Sequence, residues 1–312
     1  MAIHNLDRNF RRFFSNINPS STYEATASSE QNNVARLLES ADGPGAVMGP
    51  KCFLQGSYKQ DTAIHTINDL DVVALCALEQ PGGEGQGRRY SRDEIFKLLA
   101  GSLTRDHRYR NKIRYGAQSL CLKIDLDIRV EILPAVKKAG VTSFDYEPFR
   151  IYRPELGQWV DAYARYHQEL LTDKNKRAGN FKPLIKVFKH LRDLSEDVNR
   201  EDAVSFHIEC LLYCVPDSVL SGSIPDVIEN VLSSIAGFTP TQAQSSGITS
   251  PRGDKLIFSE DEWSDAAYSA FHGNVSEWWA LAHKANRKQD WDDAVDTWKE
   301  LLGYTYFPRD VS

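Results

Sequence analysis

Cysteine is sparse in this 312-residue chain, and its five members (Cys52, Cys76, Cys121, Cys210, Cys214) are scattered without a paired motif. An odd, dispersed set excludes a disulfide framework and reads as reduced core residues of a cytosolic protein. Long apolar runs are missing as well. The longest spans residues 72–78, far short of the roughly 20 residues a bilayer-spanning helix needs. The N-terminal M-A-I-H-N-L-D-R-N-F-R-R-F-F offers no stretch of the kind a secretory signal requires. The expectation is a cytoplasmic protein with no membrane partner. Basic excess is absent too: Lys plus Arg total 37 against 43 Asp plus Glu, a formal charge of -6. That balance argues against coating a polyanion, so no stable nucleic-acid partner is expected. No fixed-period repeat is visible, which excludes solenoids and propellers.

What is present divides unevenly along the chain. Strand signals cluster in the first half, at residues 52–54, 69–78, 120–124 and 128–136, the last two forming a hairpin around D-L-D. A helix is expected over 23–38, and helical patterning takes over from about Leu156. It continues through 182–194, 203–213 and 224–235, with three segments after Ser259. The Gly-rich stretch 80–89 and the Ser/Thr/Pro/Gly-rich stretch 238–255 read as loops. The expectation is an α+β chain of two lobes, 1–150 with a small sheet and flanking helices, and 151–312 helical.

The chemistry concentrates in residues 53–75. Gly56-Ser57 follows an apolar strand and precedes a helical turn, a place where backbone N–H groups and a hydroxyl can meet a phosphate. Asp69 and Asp71 lie two apart at a strand start, so period-2 geometry points both carboxylates to one face. Their repulsion calls for a hard divalent cation, Mg²⁺ first. A third acid would complete the set. Glu131 sits inside an apolar strand, where an unpaired acid is costly and a metal would rationalise it. Asp127 is the competing candidate, in the D-L-D turn beside Asp125. Downstream, Lys182, Lys186 and Lys189 recur at i, i+4 and i+7, one basic stripe suited to a triphosphate. His207, Cys210 and Cys214 share a helix face but lack a fourth ligand, and are read as packing. The tryptophans Trp263, Trp278, Trp279, Trp291 and Trp298 read as core of the helical lobe.

G-S-Y-K-Q-D-T, then D-L-D-V-V twelve residues after Ser57, then V-E-I-L-P-A, resemble the nucleotidyltransferase superfamily of polymerase-β type. N-F-K-P-L-I-K-V-F-K-H-L-R-D, V-S-F-H-I-E-C-L-L and D-W-D-D-A-V-D-T-W-K-E-L-L-G-Y-T-Y-F-P are similar to the bacterial cyclic-oligonucleotide synthases. These are the CD-NTases, relatives of cyclic GMP–AMP synthase and oligoadenylate synthase, and the likeness covers about residues 20 to 308. The family's third acid is usually Asp; Glu131 holds that place here. The resemblance implies a polymerase-β-type lobe packed against a helical lobe. It implies a pair of Mg²⁺ ions (Mn²⁺ as substitute) on Asp69, Asp71 and Glu131, and donor contacts from Gly56, Ser57, Lys182, Lys186 and Ser205. Phe206 falls where the family often stacks an aromatic on a base. The expected activity joins nucleoside triphosphates into a cyclic di- or trinucleotide, a signal that activates a downstream effector in antiphage defence. The alternatives are a transferase that extends RNA 3′ ends and a non-catalytic nucleotide-binding scaffold on the same fold.

Overall fold

The computed structural model describes residues 2–80, 90–138, 140, 148–198 and 200–309. Apart from Gln80, the Gly-rich stretch 80–89 lies outside these. The chain divides into a helical unit (Met1–Asn18, Asp61–His65 and His167–Ser312) and a sheet unit (Pro19–Gln60 and Thr66–Tyr166).

The first helix, α1 (Asp7–Ile17), belongs to the helical unit. The sheet unit begins with α2 (Ser21–Leu38), whose N-terminus is closed by the Ser20 hydroxyl accepting from the Tyr23 backbone N–H. Then come β1 (Lys51–Leu54), the single-turn α3 (Gly56–Gln60), β2 (Asp69–Gln80) and α4 (Arg92–Leu103). Ser91 and Glu94 form a reciprocal capping box at the start of α4. Five more strands follow: β3 (Ile113–Arg114), β4 (Leu122–Ile124), β5 (Arg129–Lys138), β6 (Phe149–Arg153) and β7 (Gln158–Ala162). The sheet order is β1-β2-β5-β4-β3, with β6 joined to β5 and β7 to β6. β2 and β5 run parallel and every other pairing is antiparallel, so the sheet is mixed. The expected hairpin around D-L-D is the antiparallel β4–β5 pair.

Alternation along β2 sorts its two faces. Leu70, Val72, Ala74 and Cys76 join Val130 and Ile132 of β5 beneath Leu37 and Leu38 of α2 and Ile95, Phe96 and Leu99 of α4. The opposite face carries a smaller cluster, Val73, Leu75, Leu133, Ala135 and Phe149. Asp69, Asp71 and Glu131 have the parity of that second face, at the end of the strands where its apolar cluster stops.

The expected lobe boundary at residue 150 falls inside β6. Residues read as the start of the helical half form the β6–β7 hairpin instead, with Tyr152 opposite Trp159. F-R-I-Y-R and Q-W-V-D-A alternate with aromatic and β-branched residues, which suits a pleated edge hairpin better than a helix turn.

The chain re-enters the helical unit along α5 (Ala164–Ala178), followed by α6 (Phe181–Leu194), α7 (Ser205–Cys214) and α8 (Ile224–Ala236). The short α9 (Pro240–Ser245) lies in the stretch expected to be a loop. After Ser259 two helices are described where three were expected: the 22-residue α10 (Asp265–Asn286) and α11 (Trp291–Leu302). Their core is strongly aromatic. Phe10, Phe13 and Ile17 of α1 are buried with Phe181, Ile185 and Phe188 of α6, Trp298 of α11 and Phe307. Trp263 stacks on both His207 (4.9 Å) and Phe258 (5.5 Å). Trp278 is buried as well, while Trp279 and Trp291 pack at the margin of this core. Cys210 is buried, in keeping with a packing role, whereas Cys214 is exposed at the end of α7, which corrects the expectation that both thiols belong to the core. No described helix is long and apolar enough to cross a membrane.

Candidate active site

In the sheet unit the site starts at the turn between β1 and α3. Gly56 has φ 71, and a Cβ added there would lie 2.0 Å from Asp71 Oδ2. The left-handed backbone and the missing side chain together let the Gly56-Ser57 turn lie against the Asp71 carboxylate. Gln55 secures the approach by donating its backbone N–H to the Asp71 carbonyl (3.1 Å). Ser57 follows, half-buried, near the start of α3.

Asp69 and Asp71 open β2, and the parallel register sets Asp71 beside Glu131 of β5. Burial, the Asp69 charge and then the Glu131 charge push the Asp71 carboxyl up to about 7, opposed only by Lys123. A buried acid raised further by two neighbouring like charges is one that a hard divalent cation would relieve. The residue types and their shared face therefore fit Mg²⁺. Among the described residues, though, no group of three His, Cys, Asp or Glu side chains is gathered closely enough to hold an ion.

Two participants escape a reading of the sequence. Lys123 of β4 faces Glu131 across the antiparallel register, its Nζ 2.8 Å from Glu131 Oε1. The mid-strand acid thus has a cationic partner within the sheet, one not weighed in the expectation that a metal would rationalise it. The alternation L-K-I opposite V-E-I was the available signal, legible once the hairpin register is known. The second is Tyr23 of α2, whose hydroxyl donates to the Asp69 carbonyl (2.7 Å). Burial, then the Asp69 charge, raises that phenol. Of the competing acids, Asp127 is exposed in the turn, and Asp125 pairs with Arg114 (2.6 Å).

The helical unit separates the expected lysine stripe into unlike parts. Lys186 Nζ lies 2.8 Å from Asp61 Oδ1 and donates to Asn18 Oδ1 (3.0 Å). Lys182, one turn earlier, is half-buried, and burial lowers its pKa. Lys189 does not share their environment. It is 2% exposed and bonded to Glu209 Oε1 (2.8 Å) and Thr62 Oγ1 (3.1 Å). Residues 187–192 of α6 are all buried, so the i+7 position meets a buried carboxylate instead of solvent. Ser205 is the first residue of α7 and half-buried. Phe206 packs against the His167 ring (5.4 Å) with Lys255 over its face (5.5 Å).

Residues 5–175, more than half the chain, match the family model described as the Second Messenger Oligonucleotide or Dinucleotide Synthetase domain. Residues 169–280 match the cGAS/DncV-like nucleotidyltransferase C-terminal helical domain. The chain belongs to the CD-NTase family. This CD-NTase is 26% identical over 255 residues to the cyclic UMP-AMP synthase of Rhodothermus marinus, covering 74% of this chain and 84% of the relative. It is also 26% identical over 319 residues to the cyclic AMP-AMP-AMP synthase of an Acinetobacter species, covering 97% of this chain and 85% of the relative. The fold agrees. The Rhodothermus marinus c-UMP-AMP synthase solved with Apcpp and Upnpp superposes with a TM-score of 0.67 at 23% identity, over 89% of this chain and 97% of the other. CdnC of E. coli MS115-1, solved in its HORMA-deltaN complex, gives 0.70 at 13% identity, over 96% of this CD-NTase and 98% of the other.

Proposed function

We propose that the chain joins nucleoside triphosphates into a cyclic di- or trinucleotide, releasing pyrophosphate as each bond forms. The observation that carries this reading is the shared sheet face of Asp69, Asp71 and Glu131, with the Gly56 turn against Asp71. Asp69 and Asp71, with Glu131, would hold two Mg²⁺ or Mn²⁺ ions, which supply charge neutralisation and a more acidic attacking hydroxyl. The remaining work falls to the chain. Gly56 gives the phosphates a backbone without a Cβ, and the Ser57 hydroxyl donates to a phosphate oxygen. Lys182 and Lys186 bring positive charge to the same polyanion, with Ser205 as a further donor and Phe206 as a platform for a base. Lys123 and Tyr23 are positioning residues, fixing the Glu131 side chain and the Asp69 backbone. An acceptor ribose hydroxyl attacks the donor α-phosphorus. The new P–O bond forms as the bond to the bridging oxygen breaks, pyrophosphate leaves and the hydroxyl proton passes to water. Catalysis is then mostly orientation and charge compensation, with no covalent protein intermediate. The linear product turns over in the site and a further bond closes the ring, giving a cytoplasmic signal for an effector in antiphage defence.

The test is incubation of the protein with all four nucleoside triphosphates and Mg²⁺, without RNA, followed by mass spectrometry. A phosphatase-resistant cyclic product is expected. Extension seen only when an RNA 3′ end is supplied would overturn the reading.

A further inference from the structure

Among the described residues Asp61 is the one non-glycine with positive φ (56). The left-handed region is unfavourable for an L side chain, and Asp and Asn are among the residues that tolerate it best. Asp61 begins the strap Asp61–His65, which leaves the Gly56-Ser57 helix at one end and reaches Asp69 four residues after the other. Within the helical unit two lysines of α6, three residues apart, grip the first two residues of that strap in opposite ways. Lys189 holds Thr62 inside a buried network with Glu209. Lys186, whose side chain is only 11% exposed, pairs with an Asp61 side chain that is 77% exposed. The same carboxylate favours the charged form of Lys182, which burial and Lys186 both oppose.

This asymmetry has a physical reading. Two lysines one turn apart repel, and a largely covered ammonium without a counter-charge is unfavourable. Asp61 supplies that counter-charge. Because the carboxylate stands mostly in water, its pairing is weak and readily exchanged, unlike the buried Lys189–Glu209 pair. A triphosphate, with several negative charges and many acceptor oxygens, outcompetes a single exposed carboxylate.

We propose that Asp61 is a positioning residue that stands in for a donor phosphate, neutralising and orienting Lys186 and Lys182 until a triphosphate displaces it. The inference rests on the reading that these lysines grip the donor, and the experiment separates the two. Inorganic tripolyphosphate is titrated calorimetrically into the full chain in EDTA, which leaves the lysines as the principal attraction. Asp61→Asn keeps a residue suited to φ 56 and removes the charge; it should bind about 3- to 10-fold more tightly than the parent. Asp61→Gly, which meets no backbone strain, should do the same and guards against a folding artefact in the first variant. Lys186→Gln should bind more weakly, and adding Asp61→Asn to it should recover little. With nucleoside triphosphates, Asp61→Asn should lower KM without raising kcat, a split that a merely structural role does not produce. Weaker binding by Lys186→Gln alongside unchanged or weaker binding by both Asp61 variants would overturn the stand-in and leave the donor reading intact. Unchanged binding by Lys186→Gln would overturn both.

Discussion

Asp71 carries the sharpest chemical tension in the chain. Its carboxyl is pushed up to about 7 by burial and by the charges of Asp69 and Glu131. An acid whose pKa rises on folding holds its proton more tightly in the native state. The contribution of this carboxyl to the stability of the ion-free protein should therefore decline as pH rises from about 4 through about 7. Burial lowers the His190 and His207 imidazoles to about 4, which acts in the opposite direction over the same range. The fall should therefore appear as the difference between parent and Asp71→Asn thermal melts in EDTA across pH 5 to 8. At pH 8, added Mg²⁺ should raise the melting temperature of the parent and leave the variant unmoved, while product formation by the variant falls by at least about 10²-fold. A difference that does not change with pH, together with a parent melting temperature indifferent to Mg²⁺, would contradict this account of the acidic face. A separate, steric constraint at the same carboxylate explains why position 56 is glycine, since a Cβ there would lie 2.0 Å from Asp71 Oδ2.

Along α6, lysines with similar spacing have different consequences because their partners differ in burial. Burial alone would raise the Glu209 carboxyl, yet the Lys189 charge and the His167 hydrogen bond hold it down at about 2. Its contribution to stability is full above its unfolded value near 4.5 and is lost as pH falls toward 2. Removing Lys189 leaves a buried carboxylate without its cation, so Lys189→Met should cost about 3–5 kcal/mol in urea unfolding at pH 7. Lys186→Met, which breaks a pair with an exposed Asp61, should cost about 0–1 kcal/mol. Combining Lys189→Met with Glu209→Leu should recover most of the first loss, because an apolar pair replaces the ion pair without an orphan charge. Equal losses for the two lysines would show that burial does not separate them.

For the molecule as a whole, the decisive feature is that the helical unit is not continuous in sequence. Its core takes Phe10, Phe13 and Ile17 from α1, each at most 1% exposed, and Ile64 from the strap. A fragment of residues 167–312 forgoes all of these. Loss of the three α1 side chains alone removes roughly 5–9 kcal/mol of apolar burial, comparable to the whole stability of an ordinary domain. The fragment should bind a hydrophobic dye and lack a cooperative melt, and supplying α1 through a flexible linker should restore one. A cooperative melt of the bare fragment would refute the argument. The matched family regions meet at residues 169–175, close to the 166/167 division of the chain, yet the N-terminal helix packs with the helical unit.

Local patterns were enough for much of this. The alternation in D-L-D-V-V-A-L determined that two carboxylates share one face and that Leu70 and Val72 fill the core behind it. The Gly-Ser turn after a short apolar strand marked where the backbone would come close, and the spacing of apolar residues marked α6, α7 and α8. Other features depended on partners distant in sequence. Glu131 acquired Lys123 only through the hairpin register, and Lys189 acquired Glu209 and Thr62 only through helix packing. The N-terminal helix joined the helical core only because its aromatic face found complementary apolar surface there. The β6–β7 hairpin is the intermediate case, since its alternation was present but a short apolar segment at a lobe edge suits either period until a neighbouring strand supplies its hydrogen bonds. Side-chain periodicity is a property of the local backbone, whereas charge pairing and burial are properties of whatever the folded chain brings alongside.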